Sequence, residues 1–553
     1  MPEPNTECER QCGGKLERGG ERMIHGESQE FFNAGDYFVD RNIRQGRGHK
    51  VAVYTEYRHY TYNDMQKMTN KTANGLRELG VQVDDRVIML MLDVPQFYAI
   101  FWGAVKIGAV PIPLNTMLTP EDYEYYLNDS RARVLVASEQ LMPGVSQIKG
   151  DLLYLRDLIV ISEKEGARIP FRQKYRHAPA TIKTEFTTKD DACFWLYSSG
   201  STGSPKGAIH SQFDMVVTSE AFGQGILHLT EDDICFSAAR LFFAYGLGNG
   251  MYLPMSVGGS AVLNPDAPTP ENVFRHLERF RPTVFFGIPT LYGQMLEVKA
   301  KQDKQMGTKP DPNTNHEFSS VRICVSAGEA LPTDIYYRWK QRFGVDIIDG
   351  IGSTEMLHIF LSNRMGDIRP GSTGKPVPGY ELKLVDDEGL QVPETEIGTL
   401  LVKGDSAAQQ YWRRREKTRL TMQGEWVNTG DKYHVDQDGY YWCTGRGDDM
   451  LKVGGIWVSP LEVENCLGQH SAVREVAVVG HKDEKDLVKP KAFVVLRDGY
   501  APSEELAQEL KNWVLERMAK YKYPRWVAFL SELPKSTTGK IQRFKLRQDT
   551  MVK

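Results

Sequence analysis

Hydrophobic and polar positions along the chain alternate between short apolar runs typical of strands and longer segments with helical spacing. Val51–Tyr54 is an apolar run that predicts a strand, and residues 64–79 have the spacing of a helix that ends at Gly80, a residue suited to a C-cap. Thr119 before Pro120 predicts another helix start. Further runs predict strands at residues 87–92, 134–136, 158–161, 192–197, 283–286 and 321–325. This alternation predicts an α/β fold with largely parallel strands.

The pattern changes around residues 425–450, where glycine, aspartate and aromatic residues become frequent. Beyond them, residues 459–462 have the form of a capping box with proline at the first helical position. The elements predicted after this helix start are strands at residues 473–479 and 492–496 and a helix at residues 504–518. This set indicates a second, smaller α+β unit behind a hinge.

We therefore predict a large multi-layer N-terminal domain with mostly parallel sheets at residues 29–447 and a small mobile α+β domain at residues 448–553. Residues 1–28 are polar and glycine-rich, which predicts a flexible tail. Polar residues at 300–318 predict an exposed loop. A chain of 553 residues is too long for one compact core, so more than one domain is expected.

Composition excludes several classes of protein. The net charge is only −4, which favours neither nucleic-acid binding nor an anionic membrane surface. Seven scattered cysteines do not indicate a disulfide framework. The N-terminus lacks the apolar run of a secretory signal, and residues 96–114, interrupted by Lys106, predict a buried helix and strand instead of a membrane span. We expect a cytoplasmic protein that is a monomer or a homodimer.

Small hydroxyl residues and glycines follow the strand predicted at residues 192–197, and a helix is predicted from about Gln212. Backbone N–H groups and hydroxyls in such a run, together with Lys206, suit a polyphosphate. Pro205 precedes the lysine and Gly207 follows it, which disfavours the P-loop of kinases and GTPases. The predicted phosphate-binding residues are Ser198, Ser199, Gly200, Ser201, Thr202, Gly203 and Lys206.

The run from Ser198 to Lys206 resembles the AMP-binding signature of adenylate-forming enzymes, the superfamily of acyl-CoA synthetases, peptide-synthetase adenylation domains and firefly luciferase. The resemblance recurs at several places between about residue 60 and the C-terminus. It implies that a small carboxylic acid is activated with ATP and Mg²⁺ as an acyl-adenylate, and that the acyl group then passes to coenzyme A.

Further motifs resemble the same family and imply roles for their residues. Thr354 matches a hydroxyl on the α-phosphate, Glu355 the Mg²⁺ ligand, and Lys540 the catalytic lysine of the first half-reaction, in which Lys206 also supplies positive charge. Asp431 and Arg446 match the ribose ligand and a ribose or phosphate contact. The stretch Gly328, Glu329 and Ala330 matches one that lies against adenine in the family. The remaining residues expected around ATP are Asp349, Gly350, Ile351, Gly352 and Ser353.

The resemblance also implies a moving C-terminal domain. Asp448 matches the hinge residue, beside Gly447, where many members carry a bulky apolar residue. The loop expected at the thioester-forming site consists of Lys452, Val453, Gly454 and Gly455. Rotation about the hinge would present Lys540 first and this loop second.

Residues 32–40, 241–250 and 356–360 resemble bacterial benzoate-CoA ligases, which act in aromatic acid degradation. The residues expected around the ring are Ala244, Tyr245, His358 and Ile359, with Ser326, Ala327 and Gly328 along one wall. An aromatic and aliphatic slot of this kind favours a flat ring with one carboxylate. Benzoate, a hydroxy- or aminobenzoate and cyclohexane carboxylate remain open.

Other functions remain as alternatives to an acyl-CoA ligase. An aryl-acid adenylating enzyme would load a separate carrier protein, and a luciferase-like enzyme would react with oxygen. A non-enzymatic nucleotide sensor is disfavoured, because a sensor does not need the charge compensation that Lys206, Glu355 and Lys540 would provide.

Overall fold

Parallel strands covered by helices form the layers of the N-terminal part, as the alternating pattern predicts. The computed structural model describes residues 22–24, 27–162, 178–198, 205–307, 316–393, 395–447, 449–453, 456–484, 487–535 and 540–548. Within these residues the largest sheet, here the large sheet, has nine strands. Its strands, in spatial order, are Lys375–Pro376, Ile359–Ser362, Ile347–Gly352, Ile323–Ser326, Val284–Gly287, Ile234–Ser237, Ser260–Val262, Val51–Tyr54 and His59–Thr61.

The interior of the large sheet is parallel, and antiparallel strands close its two edges. Every neighbouring pair from Ile347–Gly352 to Val51–Tyr54 is parallel, whereas Ile359–Ser362 and His59–Thr61 pair antiparallel with their neighbours. One face packs on the helices Pro270–Phe280, Pro289–Met306 and Thr333–Phe343 through a buried aromatic cluster. Apolar side chains on both faces explain why these strands are nearly continuous hydrophobic runs.

A second parallel sheet shares its core with the large sheet. Its strands, in spatial order, are Val110–Pro113, Arg86–Leu90, Val134–Ser138 and Asp157–Ile161. The helices Tyr62–Glu78 and Pro95–Lys106 contribute to the cluster between the two sheets. The apolar segment at residues 96–114 is therefore a buried helix and strand, as predicted, and no described helix is long and apolar enough to cross a bilayer.

Antiparallel sheets complete the N-terminal part. One contains Gln410–Tyr411, Lys206–Ser211 and Ala192–Ser198, and the other contains Glu381–Val385, Gly398–Lys403, Trp426–Val435, Met422–Gln423 and Tyr441–Arg446. Helix Pro120–Asp129 begins at a complete capping box between Thr119 and Asp122, which confirms its predicted start. The remaining short helices are Arg41–Arg44, Met142–Val145, Asp214–Thr218, Ala244–Leu247, Leu253–Val257 and Arg415–Thr421, with π-helical turns at Asp36–Asp40, Ser219–Gln224 and Gly248–Tyr252.

The C-terminal part has hydrophobic clusters of its own. Its elements are the strands Leu451–Val453, Ile456–Val458, Val473–Lys482, Val488–Leu496 and Trp526–Phe529 and the helices Pro460–Gly468, Glu504–Arg517 and Arg543–Arg547. The N-cap Ser459 accepts from the N–H of Glu462 at 3.3 Å, but the Glu462 carboxylate pairs with Lys522. The predicted capping box is therefore only half formed.

One prediction for an exposed segment, the loop at residues 300–318, needs correction. Helix Pro289–Met306 continues through the first residues of the predicted loop at 300–318, because Leu291, Met295 and Leu296 are buried and Asp303, also buried, pairs with Arg342 at 3.1 Å. Residues 308–315 lie outside the described part. In the predicted tail, Arg22–Ile24 pairs antiparallel with Glu27–Gln29, and residues 1–21 lie outside the described part.

A buried ion pair joins the first helical turns to the core helix. Lys106 is 1% exposed, and its Nζ lies 2.6 Å from Asp40 Oδ2 and donates to Asn70 Oδ1 at 2.7 Å. Burial lowers the pKa of Lys106, while the charge of Asp40 opposes this effect. Loss of either partner leaves a charge without compensation in the core.

We predict that Asp40→Ala lowers the free energy of unfolding by about 3 kcal/mol, because the buried ammonium loses its partner. The matched control is Asp36→Ala, which breaks a more exposed pair with Arg44 on the same segment and should cost less than about 1 kcal/mol. Urea unfolding monitored by tryptophan fluorescence measures both values. Equal destabilisation by the two variants would contradict the prediction.

Candidate active site

The candidate site lies where parallel strands of the large sheet end. Strands Ile323–Ser326 and Ile347–Gly352 are parallel neighbours, so their carboxyl ends meet at one edge, the position at which open α/β sheets bind ligands. The predicted residues that these strands and their following loops carry to this edge are Ser326, Ala327, Gly328, Glu329, Ala330, Asp349, Gly350, Ile351, Gly352, Ser353, Thr354 and Glu355.

The carboxylate of Asp349 connects strand Ile347–Gly352 to the loop after Ser326. It is buried, its Oδ2 accepts from the N–H of Leu331 at 3.3 Å, and burial raises its pKa to about 7. The neighbouring Gly328 has φ +96°, a left-handed conformation that favours glycine. These features fix the backbone of the predicted adenine segment against the strand edge.

Hydroxyl groups from two other segments hold the carboxylate of Glu355. Tyr411 Oη donates to Glu355 Oε1 at 2.6 Å, and Ser198 Oγ donates to the same oxygen at 3.2 Å. Lys206 Nζ lies 4.4 Å from the centroid of the Tyr411 ring. Burial lowers the pKa of Lys206, and the negative charge of Glu355 opposes that effect. The structure thus brings the predicted phosphate lysine and the predicted metal ligand together.

The donor set around Glu355 fits Mg²⁺ bound with a nucleotide. The described residues contain no cluster of three or more His, Cys, Asp or Glu that could hold a metal alone. Mg²⁺ is commonly held by one or two carboxylates together with phosphate oxygens and water. A single oriented carboxylate beside Lys206 is consistent with such a site.

The segment directly after the phosphate-binding loop is a strand that the sequence did not predict, and the helix predicted from about Gln212 follows it at Asp214. Ser198 pairs with Lys206 and Tyr197 with Gly207, so Ala192–Ser198 and Lys206–Ser211 form an antiparallel hairpin. The short helix Asp214–Thr218 comes only after this strand. Pairing of Lys206–Ser211 with Gln410–Tyr411 stabilises the extended backbone and carries Tyr411 to the site.

Asp431 and Arg446 face each other across neighbouring strands. They are directly paired in the ladder, and Arg446 Nη1 lies 3.2 Å from Asp431 Oδ1. Burial raises the pKa of Asp431, while the charges of Arg446 and Lys540 lower it. The charge of Lys540 thus acts on the predicted ribose ligand, although the two residues belong to distant segments.

Glu329 also lies close to the segment that carries Lys540. Its Oε1 accepts from the N–H of Ile541 at 3.2 Å. Burial raises the pKa of Glu329, and the bond to Ile541 and the charges of Arg543 and Lys540 oppose this effect. The structure thus assembles Lys206, Glu355, Asp431, Arg446, Glu329 and Lys540 around one region.

The residues predicted around an aromatic ring form a buried aromatic group. Tyr245 Oη donates to the carbonyls of Val325 and Gly287 at 3.1 and 3.3 Å, and its ring centroid is 5.9 Å from that of His358. His358 Nε2 lies 3.1 Å from Asn249 Oδ1, and burial lowers the pKa of His358 to about 3. The imidazole is therefore neutral at physiological pH.

A glycine allows the close packing of this group. An added Cβ on Gly248 would lie 2.5 Å from Cδ2 of His358, so a larger residue would displace the ring. Ala244 begins the short helix Ala244–Leu247, and Ile359 is buried on the strand that pairs with Gly352. Ala244 and Ile359 therefore lie at the same end of the large sheet as Ser326.

Several predicted residues lie outside the described part of the chain. These are Ser199, Gly200, Ser201, Thr202 and Gly203 of the phosphate-binding loop, the hinge residue Asp448, and Gly454 and Gly455 of the thioester loop. Lys452 and Val453 are on strand Leu451–Val453, and Val453 pairs with Ile456.

Comparison with known families and proteins gives consistent matches along the chain. The model described as AMP-binding enzyme matches residues 39–412, and that of the AMP-binding enzyme C-terminal domain matches residues 462–540. The chain belongs to the AMP-binding enzyme family.

Individual relatives of this AMP-binding enzyme are ligases of aromatic acids. A benzoate–CoA ligase of Thauera aromatica is 49% identical over 94% of this chain and 96% of the relative, and a 4-hydroxybenzoate–CoA/benzoate–CoA ligase of Rhodopseudomonas palustris is 43% identical over 94% of each. The anthranilate CoA ligase AuaEII in complex with anthranoyl-AMP has a TM-score of 0.87 at 47% identity, covering 94% of this chain and 97% of the other. A benzoate CoA ligase from Burkholderia xenovorans LB400 has a TM-score of 0.84 at 46% identity, covering 93% and 100%.

Sequence reasoning missed three residues that orient the site of this AMP-binding enzyme: His210, Tyr411 and Asn249. His210 is fully buried, and its Nε2 donates to the carbonyl of Thr354 at 2.8 Å, because a carbonyl oxygen can only accept. Its Nδ1 lies 2.8 Å from Asp214 Oδ2. His210 comes four residues after Lys206, and this closeness to the predicted phosphate lysine was the available signal.

We predict that His210→Phe lowers the rate of acyl-adenylate formation about ten-fold, because the peptide between Thr354 and Glu355 loses its donor. Phenylalanine keeps the ring stacked on Phe194, which is 5.2 Å away between centroids. Pyrophosphate release without CoA measures the rate.

The matched control for His210→Phe is His276→Phe. His276 is also buried and stacks on Phe236 at 5.5 Å, but on the helix Pro270–Phe280 that covers the opposite face of the large sheet. Its substitution should leave the rate within about two-fold. Equal losses in the two variants would show that His210 only supports packing.

Proposed function

We propose that this chain is a benzoate–CoA ligase. In the first step a carboxylate oxygen of benzoate attacks the α-phosphorus of ATP, an oxygen–phosphorus bond forms, and pyrophosphate leaves. In the second step the thiolate of coenzyme A attacks the acyl carbonyl of benzoyl-AMP, a thioester forms, and AMP leaves. ATP and coenzyme A are both available in the cytoplasm, which we propose as its location.

The observation that carries this proposal is the convergence of Lys206, Glu355 and the Lys540 segment at the carboxyl edge of the large sheet. Lys206 Nζ lies 4.4 Å from the ring centroid of Tyr411, whose hydroxyl donates to Glu355 at 2.6 Å, and the N–H of Ile541, next to Lys540, donates to Glu329 at 3.2 Å. A binding module does not require basic groups from distant segments around a polyphosphate, whereas attack of one anion on another does.

We assign roles to the residues on this basis. Lys206 and Lys540 stabilise the charge that builds on the phosphates in the transition state, so they affect rate more than binding. Thr354 contacts the α-phosphate, and Asp431 with Arg446 orients the ribose. Mg²⁺, when bound with ATP, supplies further positive charge, and Glu355 is the residue that would hold it.

The second step requires different protein groups beside the adenylate. We propose that the C-terminal domain, residues 448–553, rotates about Asp448 and supplies these groups. The loop at residues 452–455 then replaces Lys540 beside the N-terminal domain, residues 29–447. A free thiol has a pKa near about 8.5, so a modest local field is sufficient to raise the thiolate fraction. Closure of the active site between the two steps also protects the adenylate from hydrolysis.

The aromatic group at Tyr245 and His358 favours benzoate as the acid. Burial lowers the pKa of His358 to about 3, so its imidazole is neutral. It therefore offers no counter-ion for a second carboxylate on the acid substrate. Two relatives that span about 94% of this chain are a benzoate–CoA ligase and an anthranilate CoA ligase. Small substituents on the ring alter selectivity by only about 1–3 kcal/mol in a pocket of this kind.

The direct test is a screen of small carboxylic acids with ATP and Mg²⁺, in which pyrophosphate release is measured with and without coenzyme A. We predict the highest kcat/KM for benzoate, and benzoyl-CoA as the product when coenzyme A is present. Cyclohexane carboxylate is the comparison acid. Turnover only with a separate carrier protein, or higher kcat/KM for the saturated ring, would contradict the proposal.

We predict that Lys540→Ala lowers adenylate formation by about 100-fold or more, because charge on the phosphates loses its compensation. Transfer from supplied benzoyl-AMP to coenzyme A should stay within about two-fold. Lys545→Ala removes an exposed lysine five residues away and is the control. Equal loss of both half-reactions in Lys540→Ala would refute this division of roles.

A further inference from the structure

A single carboxylate connects the N-terminal part to the backbone beside Lys540. Glu329 lies on the loop after strand Ile323–Ser326, and its Oε1 accepts from the N–H of Ile541 at 3.2 Å. That N–H belongs to the peptide bond between Lys540 and Ile541. The contact joins residues 212 positions apart in the sequence, so it forms only when the two parts of the chain are docked.

The residues after Ile541 are fixed to the C-terminal part itself. The N–H of Gln542 donates to the carbonyl of Pro534 at 2.8 Å. Arg543 Nη2 donates to both oxygens of Glu464, at 2.9 and 2.8 Å. Gln542 and Arg543 are therefore held by residues of the C-terminal part, and Glu329 contacts the preceding peptide from the N-terminal part.

The environment of the Glu329 carboxylate suits a hydrogen-bond acceptor for the N–H of the Lys540–Ile541 peptide. Burial disfavours its charged form, and the N–H of Ile541 is the largest opposing contribution. The charge of Lys540 opposes the effect of burial on both Glu329 and Asp431. Removal of the acceptor would leave a partly buried N–H without a partner and release the backbone of the lysine.

Other contacts between the two parts lie farther along the interface. Arg497 Nη1 lies 2.6 Å from Glu297 Oε1, and Glu297 also pairs with Arg338 at 2.8 Å. Lys301 pairs with Asp498 at 3.0 Å, with both side chains largely exposed. These ion pairs hold the C-terminal part against helix Pro289–Met306. The hydrogen bond of Glu329 instead holds the peptide next to Lys540.

We infer that Glu329 is a positioning residue for the adenylation step, in which it holds the Lys540–Ile541 peptide so that the lysine ammonium reaches the phosphates. The inference rests on the proposed function. It gives the Glu329 side chain a role separate from the adenine contact that its motif implies. In the thioester step the lysine is not needed, and Glu329 has no positioning role there.

The test compares Glu329→Ala, Glu329→Gln and the control Asp498→Ala in the full-length enzyme. Two half-reactions are measured: pyrophosphate release with benzoate and ATP, and benzoyl-CoA formation from supplied benzoyl-AMP. For Glu329→Ala we expect adenylation kcat to fall about 10- to 100-fold with KM for ATP changed less than about three-fold, and thioester formation to stay within about two-fold.

Glu329→Gln keeps an oxygen that accepts from the same N–H and should restore most of the lost rate, while Asp498→Ala should change neither half-reaction by more than about two-fold. A raised KM for ATP with unchanged kcat would overturn the inference in favour of a nucleotide contact. Equal loss of both half-reactions, or a Gln variant as slow as Ala, would also overturn it. Absence of benzoate-dependent pyrophosphate release in the wild type would instead refute the proposed function.

Discussion

Repulsion between anions is the constraint on which the proposed chemistry depends. A carboxylate must approach the α-phosphate of a polyanion, and positive groups held in place beforehand lower the cost of that approach. The fold provides them from segments that are far apart: Lys206 at the start of a hairpin strand and Lys540 near the C-terminus. The charge of Glu355 acts on Lys206, and the charge of Lys540 acts on Glu329 and Asp431.

The layers of the fold serve this arrangement. Parallel strands place the loops after Ser326 and Gly352 side by side, and the hairpin sheet brings Ser198 and Tyr411 to the carboxylate of Glu355. Behind them, His210 holds the backbone carbonyl of Thr354. The reactive groups are therefore supported by buried hydrogen bonds, which limit the reorganisation needed when charge develops.

Features specified by neighbouring residues could be predicted from the sequence. The helix start at Thr119, the buried segment at residues 96–114 and the parallel α/β class all follow from local patterns. The roles of Lys206, Glu355 and Lys540 were implied by family resemblance, and their placement in one region agrees with it. The positions of these residues along the sequence do not by themselves predict that they lie close together.

Features that depend on distant partners could not be predicted in this way. Strand Lys206–Ser211 contains the polar residues His210 and Ser211, whose buried positions are satisfied by Asp214 and Thr354, so its pattern did not indicate a strand. The contact between Glu329 and Ile541 spans 212 positions and leaves no local signal. The polar end of helix Pro289–Met306 has the composition of a loop.

The most direct test of charge compensation is a crystal structure of the protein with Mg²⁺, benzoate and a non-hydrolysable ATP analogue. The account predicts that the ammonium groups of Lys206 and Lys540 both contact phosphate oxygens and that Glu355 binds the metal. A complex in which either lysine or Glu355 points away from the phosphates would contradict it.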